Sequence, residues 1–419
     1  MQRRTFLLAG LTGLTGLWAA HPRDRGMPHD DYFAHWNTLL RQHGLGVPTM
    51  LVDLDRLDSN ISRIRASIPA GRALRLVAKS LPSTELLGYI MQGEADQRLM
   101  VFHETQIQAL GAAFPTASLL LGKPMPIEAV ARFYQNQPVQ ARGMTERINW
   151  LIDTPERAQQ YQELAEGLGI SLRIALEIDV GLHRGGFSDP SALQAWLPLR
   201  SSHLRITGLM GYDAQVGKIP PLVESAATTL RHAQNQYRRM YSALLHHMPE
   251  LRSAALILNG AGSPTFRLHG PDSPLNEVAA GSAFVKASDF DLPSLSDLQP
   301  ACWIASPVLK AWDGLDLPGP LPLGRLWSAW DRNRRRTYFI YGGGWRAHPV
   351  SPAGLSTNPL YGISTNQCMY NGSTRTALGV DDSVFLRPTQ SEWVMQEFGT
   401  ILAWSRQRNT LHHWSVLPA

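Results

Sequence analysis

Three short stretches carry side chains fit for covalent and anionic chemistry. The run Arg75-Leu-Val-Ala-Lys-Ser-Leu-Pro82 delivers Lys79 with no acidic residue within five positions on either side. Burial without a counter-charge disfavours an ammonium, so this setting is expected to free the amine as a nucleophile or Schiff-base partner. The run Glu177-Ile-Asp-Val-Gly-Leu-His-Arg-Gly-Gly-Phe187 brings Glu177 and Asp179 to a strand end and then presents His183 and Arg184 on a glycine turn. Arginine is a permanently charged fork, suited to a phenolate, carboxylate or phosphate oxygen. The run Leu258-Asn-Gly-Ala-Gly-Ser-Pro-Thr-Phe266 offers Asn259, Gly260, Gly262, Ser263 and Thr265 in a bend. Glycines admit a close backbone approach, and free amides with hydroxyls form an anion nest suited to phosphate. An amine at an early strand, an arginine loop at a middle strand and a phosphate nest at a late strand together describe a pyridoxal phosphate site.

The elements that must position these groups alternate regularly from Pro48 onward. Short β-rich runs occur at 49–54, 73–79, 98–102, 117–122, 147–153, 172–179, 204–212 and 254–260, mostly separated by amphipathic stretches of helical length. One such stretch, 55–68, places Leu57, Ile61, Ile64 and Ile68 on one face. Another opens on a capping box at Ser83-Thr-Glu85 or its one-residue shift. Eight runs in this rhythm predict a (β/α)8 barrel of the TIM type, in which functional groups collect at the carboxyl ends of the strands. That rule selects Lys79, Asp179, Tyr212 and the Asn259 loop. Beyond about residue 295, short β runs separated by Pro/Gly-rich connections predict a second, mostly β C-terminal domain. The expected division is a signal segment at 1–20, an extension at 21–47, the barrel at 48–294 and the C-terminal domain at 295–419.

Composition narrows the class. With 44% hydrophobic and 17% charged residues the 419-residue chain reads as globular. Its net charge of +5 is not concentrated, since Arg334-Arg335-Arg336 is the densest basic cluster, and no nucleic-acid partner is expected. Cys302 and Cys368 are too few for a disulfide framework and lack metal spacing, leaving at most one disulfide. The opening Arg3-Arg4-Thr5-Phe6-Leu7 and the apolar run to Ala20 resemble a twin-arginine export signal, which implies a periplasmic location and no stable membrane span after its removal.

At the level of whole blocks, the sequence resembles the fold-type III pyridoxal phosphate enzymes, the alanine racemase N-terminal barrel superfamily. Within it the resemblance is to the D-threonine aldolase and D-serine dehydratase-like branch. It rests on 48–61, 74–80, 177–187, 208–217, 258–266 and 276–285 in that order. The resemblance implies that Lys79 forms the internal aldimine, that Arg184 faces the hydroxyl side of the cofactor ring, and that Asn259, Gly260, Gly262, Ser263 and Thr265 surround the phosphate. Tyr212 would line the pocket, with Asp213 beside it as a candidate in catalysis. It further implies a small amino-acid substrate and a homodimer.

The chain departs from that pattern in two places. Where the relatives carry a Pro-x-His-x-Cys or Pro-x-His-x-Asp run that binds a divalent metal, this chain has Pro388-Thr-Gln390-Ser-Glu392. An amide and a carboxylate suit hard cations better than transition metals, so Gln390 and Glu392 are read either as metal ligands or as groups that touch substrate or move protons. Where several relatives have a histidine near Asp213, this chain offers Asp213 and Gln215. His348 is a further candidate from the C-terminal domain. The expected activity is a lyase acting at the α-carbon of a D- or β-hydroxy amino acid, by aldol cleavage or deamination. The alternatives are an amino-acid racemase or epimerase, or a non-catalytic pyridoxal phosphate or amino-acid-binding protein.

Overall fold

The computed structural model describes residues 21–136, 142–197, 201–220, 222–358, 360 and 363–418. The proposed export signal at 1–20 lies outside them. Among the described residues no helix is long and apolar enough to cross a membrane. The chain divides into two compact units: one runs through Val52 and resumes at Cys302–Thr389, and the other takes Asp53–Ala301 and Gln390–Ala419. The stretch expected as one C-terminal domain, 295–419, is therefore shared, and its last thirty residues belong to the barrel unit.

In the first unit, β1 (Thr49–Asp53) is not a barrel strand. It pairs antiparallel with the long β10 (Cys302–Asp313), Met50 opposite Ile304. This corrects the expectation that the run 49–54 opens the barrel.

The barrel is closed by eight parallel strands: β2 (Ala73–Val77), β3 (Arg98–Val101), β4 (Ser118–Leu121), β5 (Ile148–Ile152), β6 (Leu172–Glu177), β7 (Leu204–Gly211), β8 (Ile257–Gly260) and β9 (Glu277–Ala280). The closing strand β9 pairs Ala73 with Glu277 and Asn259 with Glu277, filling the place that β1 was expected to take. Helices between the strands start on side-chain caps: Asp53 accepts from the Arg56 amide, Ser83 from Leu86 and Thr154 from Arg157. The helix Leu54–Ser67 buries Leu57, Ile61 and Ile64, the face that the sequence periodicity marks out.

The barrel interior is partly ionic. Arg75 is completely buried and meets Glu277 through two bonds, Nε to Oε1 at 2.6 Å and a terminal nitrogen to Oε2 at 2.9 Å. Arg98 reaches Glu277 Oε2 at 2.6 Å, and Asn259 Nδ2 donates to Glu277 Oε1 at 2.8 Å. Burial alone would raise the Glu277 carboxyl, but the two guanidinium groups hold it below its ordinary value. Such a network specifies alignment across β2, β3, β8 and β9, because breaking it would strand a charge in the core.

The rest of the first unit is an antiparallel sheet. β10 pairs with β11 (Arg336–Tyr341) and β15 (Ser383–Pro388). β11 pairs with β14 (Gln367–Gly372), β12 (Ala347–Ser351) with β15, and β13 (Ser356–Thr357) with β14. His348 lies in β12 opposite Arg387, and Cys302 and Cys368 are both buried and free. The tail of the second unit adds the hairpin β16 (Thr400–Ser405) and β17 (Thr410–Ser415).

Candidate active site

Six strands deliver functional groups at their carboxyl ends. After β2 the chain enters a single 3-10 turn, Ala78–Ser80, which carries Lys79 at the barrel mouth. The acid-free surroundings expected for Lys79 are not found, because Glu392 arrives from the tail. Its Oε1 lies 3.2 Å from Lys79 Nζ and its Oε2 accepts from Ser80 Oγ at 2.8 Å. The amine also stands over the ring of Phe102, 5.2 Å from its centre, at the end of β3.

The loop after β6 is shaped by its own aspartate. Asp179 Oδ1 accepts from the amides of Gly181 and His183 at 2.9 and 3.0 Å, while Oδ2 meets His183 Nδ1 at 2.8 Å. Burial would raise the Asp179 carboxyl, but these donors bring it below its usual range. The turn carries Arg184 over the ring of Tyr212, 5.1 Å from the ring centre, immediately beyond β7. Burial pushes the Tyr212 phenol up; Arg184 opposes this, and the charges of Asp213 and Glu392 add to it. Tyr212 therefore senses both the arginine loop and the carboxylate on Lys79.

The bends after β8 and β9 close the ring of groups. A Cβ on Gly262 would stand 2.7 Å from the Tyr212 ring, so only glycine lets this backbone lie against the aromatic face. Ser263 Oγ accepts from the amides of Gly281 and Ala283 at 3.1 Å each, binding the two bends together and leaving its own proton to offer. A Cβ on Gly281 would meet Ser80 at 2.8 Å, which returns the circuit to the Lys79 turn.

Thr265, Asp213 and Asn259 face inward. The Thr265 hydroxyl accepts from the Gly262 amide and donates to Asp213 Oδ1 at 2.7 Å, and it is fully buried. Asp213 Oδ2 meets His269 Nε2 at 2.6 Å, and both residues are buried. Asp213 and Thr265 thus link the bend after β8 to His269. Asn259 turns into the barrel onto Glu277, and Gly260 is required by packing, since a Cβ there would lie 2.9 Å from the Gly211 carbonyl.

Sequence reasoning missed Ser80, Phe102 and His269 as members of the site, and assigned no role to Glu177. Glu177 ends β6 nearly buried, and burial lifts its carboxyl to about 7, with Arg184 opposing and Asp153 and Asp179 reinforcing the rise. Its inward direction could be read from the alternation along β6, whereas nothing local announces that His269 reaches Asp213. A separate cavity of about 780 Å³ opens among Arg72, Arg98, Ser118 and Arg173, at the amino ends of the strands. The fold assigns chemistry to the opposite end.

Residues 52–289 match the family model described as the alanine racemase N-terminal domain. The chain belongs to that family. Solved structures share the architecture over nearly the whole chain. A D-threonine aldolase from Filomicrobium marinum is 15% identical with a TM-score of 0.68, covering 89% of this chain and 97% of its own. The D-threo-3-hydroxyaspartate dehydratase of a Delftia species is 16% identical with a TM-score of 0.66, covering 90% and 98%. An alanine racemase from Clostridium difficile is 17% identical with a TM-score of 0.64, covering 88% and 98%. No curated protein sequence matches the chain.

The donor set fits pyridoxal phosphate. The glycine-lined cradle against Tyr212 would admit a flat ring beside backbone, the Ser263 bends offer donors to a phosphate, and Lys79 supplies the amine. Gln390 and Glu392 fit a metal poorly. Gln390 Nε2 donates to Asp289 Oδ2 at 2.8 Å, and the Glu392 carboxylate is already matched by Lys79. Among the described residues no group of three or more His, Cys, Asp or Glu is arranged to hold a metal ion.

Proposed function

We propose that the protein is a pyridoxal phosphate-dependent lyase that acts at the α-carbon of a D- or β-hydroxy amino acid, by aldol cleavage or deamination. The observation that carries this reading is the closed circuit of Lys79, Glu392, Tyr212, Arg184 and the Ser263 bends at the carboxyl mouth of the barrel. The cofactor, when bound, supplies an electron sink for a carbanion at the substrate α-carbon. Lys79 would hold it covalently, Ser263 and the Gly262 backbone would take its phosphate, and Tyr212 with Arg184 would orient the ring. The side chain of Lys79 is 43% exposed, so a small substrate reaches it from the mouth. The lyase is favoured over the racemase because Glu392 is bonded to Lys79 and lies on the lysine's side, whereas a racemase needs a second base on the opposite face. The twin-arginine-like residues 1–20 support a periplasmic location, and the family resemblance supports a homodimer.

Borohydride reduction of the purified holo-protein, followed by peptide mapping, should place the reduced cofactor on Lys79. A label on any other residue would sink the reading. Incubation in heavy water with D- and L-amino acids then separates the reactions: keto acid or aldehyde supports the lyase, and α-proton exchange with the amino acid retained supports the racemase.

A further inference from the structure

We propose that Glu392 is the acid–base group of this site: it fixes the Lys79 amine and takes the proton from a hydroxyl on the substrate's β-carbon, without a metal ion. This rests on the lyase reading above. The carboxylate is clamped by two donors from one turn, Lys79 Nζ at 3.2 Å and Ser80 Oγ at 2.8 Å. Its own short helix, Ser391–Val394, is anchored by Ser391 Oγ to Ser282 Oγ at 3.0 Å, on the bend that follows β9. The Ser80 bond and the Ser282 anchor do not depend on Lys79, so the carboxylate keeps its place when substrate arrives.

Its surroundings suit proton transfer. The Glu392 side chain is 22% exposed, open to a ligand yet partly shielded. The charged and titratable groups around it are Lys79 on the turn after β2 and Tyr212 after β7, whose phenol senses its charge, with Arg184 beyond. Asp289 is occupied by Gln390. A substrate amine that replaces Lys79 brings its β-hydroxyl, three bonds away, within reach of the same carboxylate. The hydroxyl O–H bond breaks and an O–H bond forms on Glu392; as the Cα–Cβ bond breaks, the oxygen's electron pair forms the carbonyl of the released aldehyde and the pair of the broken bond passes to the α-carbon. A base in this position contributes of the order of a hundredfold or more to rate.

The test uses the holoenzyme with D-threonine and D-serine as hydroxylated substrates and D-alanine as the control without a hydroxyl. Glu392→Gln should keep borohydride labelling of Lys79 and lose about a hundredfold or more in kcat on the hydroxylated substrates, while wild type and variant alike release no aldehyde from D-alanine. Glu392→Asp should restore part of that loss. The pH at which the cofactor absorbance converts should fall by about one unit in Glu392→Gln, because a neighbouring carboxylate favours the protonated form. EDTA should leave wild-type turnover unchanged. Full turnover by Glu392→Gln, or an EDTA loss reversed by a divalent metal, would overturn the proposal while Lys79 labelling stands. Absence of that label in the wild type would overturn the parent reading and this one with it.

Discussion

Replacing Glu177 by glutamine should stabilise the protein, and more so as the pH rises. Burial lifts this carboxyl from its ordinary 4.5 to about 7. Below pH 4.5 the carboxyl is protonated in both folded and unfolded chains and contributes nothing. Between 4.5 and 7 the unfolded chain releases the proton while the folded one keeps it, so rising pH draws the equilibrium toward unfolding. Above 7 the full penalty is present: 7 − 4.5 = 2.5, which at about 1.36 kcal/mol per pH unit amounts to about 3 kcal/mol. Glutamine keeps the shape and carries no such penalty. Denaturant unfolding of wild type and Glu177→Gln should therefore differ by less than about 1 kcal/mol at pH 5 and by about 3 kcal/mol at pH 8. Arg184→Gln, which removes the opposing positive charge, should move the Glu177 midpoint further up. A gain of equal size at both pH values, or a loss at pH 8, would show that Glu177 is not held protonated by burial and would refute the reasoning.

Three further outcomes follow from contacts described above. Glu277→Gln leaves the buried Arg75 guanidinium without its counter-charge and should cost about 3–5 kcal/mol, read as a lowered denaturant midpoint. Gly262→Ala forces a methyl to within 2.7 Å of the Tyr212 ring and should weaken pyridoxal phosphate binding, measured by fluorescence titration, and cost about 1–3 kcal/mol of stability. His269→Ala leaves Asp213 short of a buried partner and should cost about 1–3 kcal/mol in stability, with the Lys79 label retained on borohydride reduction.

The barrel and the order of its functional loops were legible because strand and helix periodicities repeat, and because Lys79, Arg184, Tyr212 and the Ser263 bend fall at strand ends whichever strands close the barrel. The identity of the closing strand was not legible. The run at 49–54 has the composition of a barrel strand, and only its partner, β10, places it elsewhere. β9 is four residues long and begins with Glu277, a poor strand signature that makes sense only once Arg75 and Arg98 stand opposite. Arg75 itself looks like an interruption in an apolar run until its carboxylate partner, 202 positions away, is known. A longer separation, 313 positions, hid the partner of Lys79, since a local window holds no information about a carboxylate in the tail. Asp213 and Thr265 stand in the loops after β7 and β8, but their bonding ends on His269, which carries no motif.

The separation between Lys79 and Glu392, 313 positions, also sets a clock for biosynthesis. At 5–20 residues per second a ribosome takes about 16 to 60 s to cover it. Throughout that interval the lysine has been made and its carboxylate has not, so the amine can meet cellular aldehydes before the site is assembled. A nascent chain stalled before residue 390 would carry Lys79 and the Ser263 bend without the carboxylate that steadies the amine.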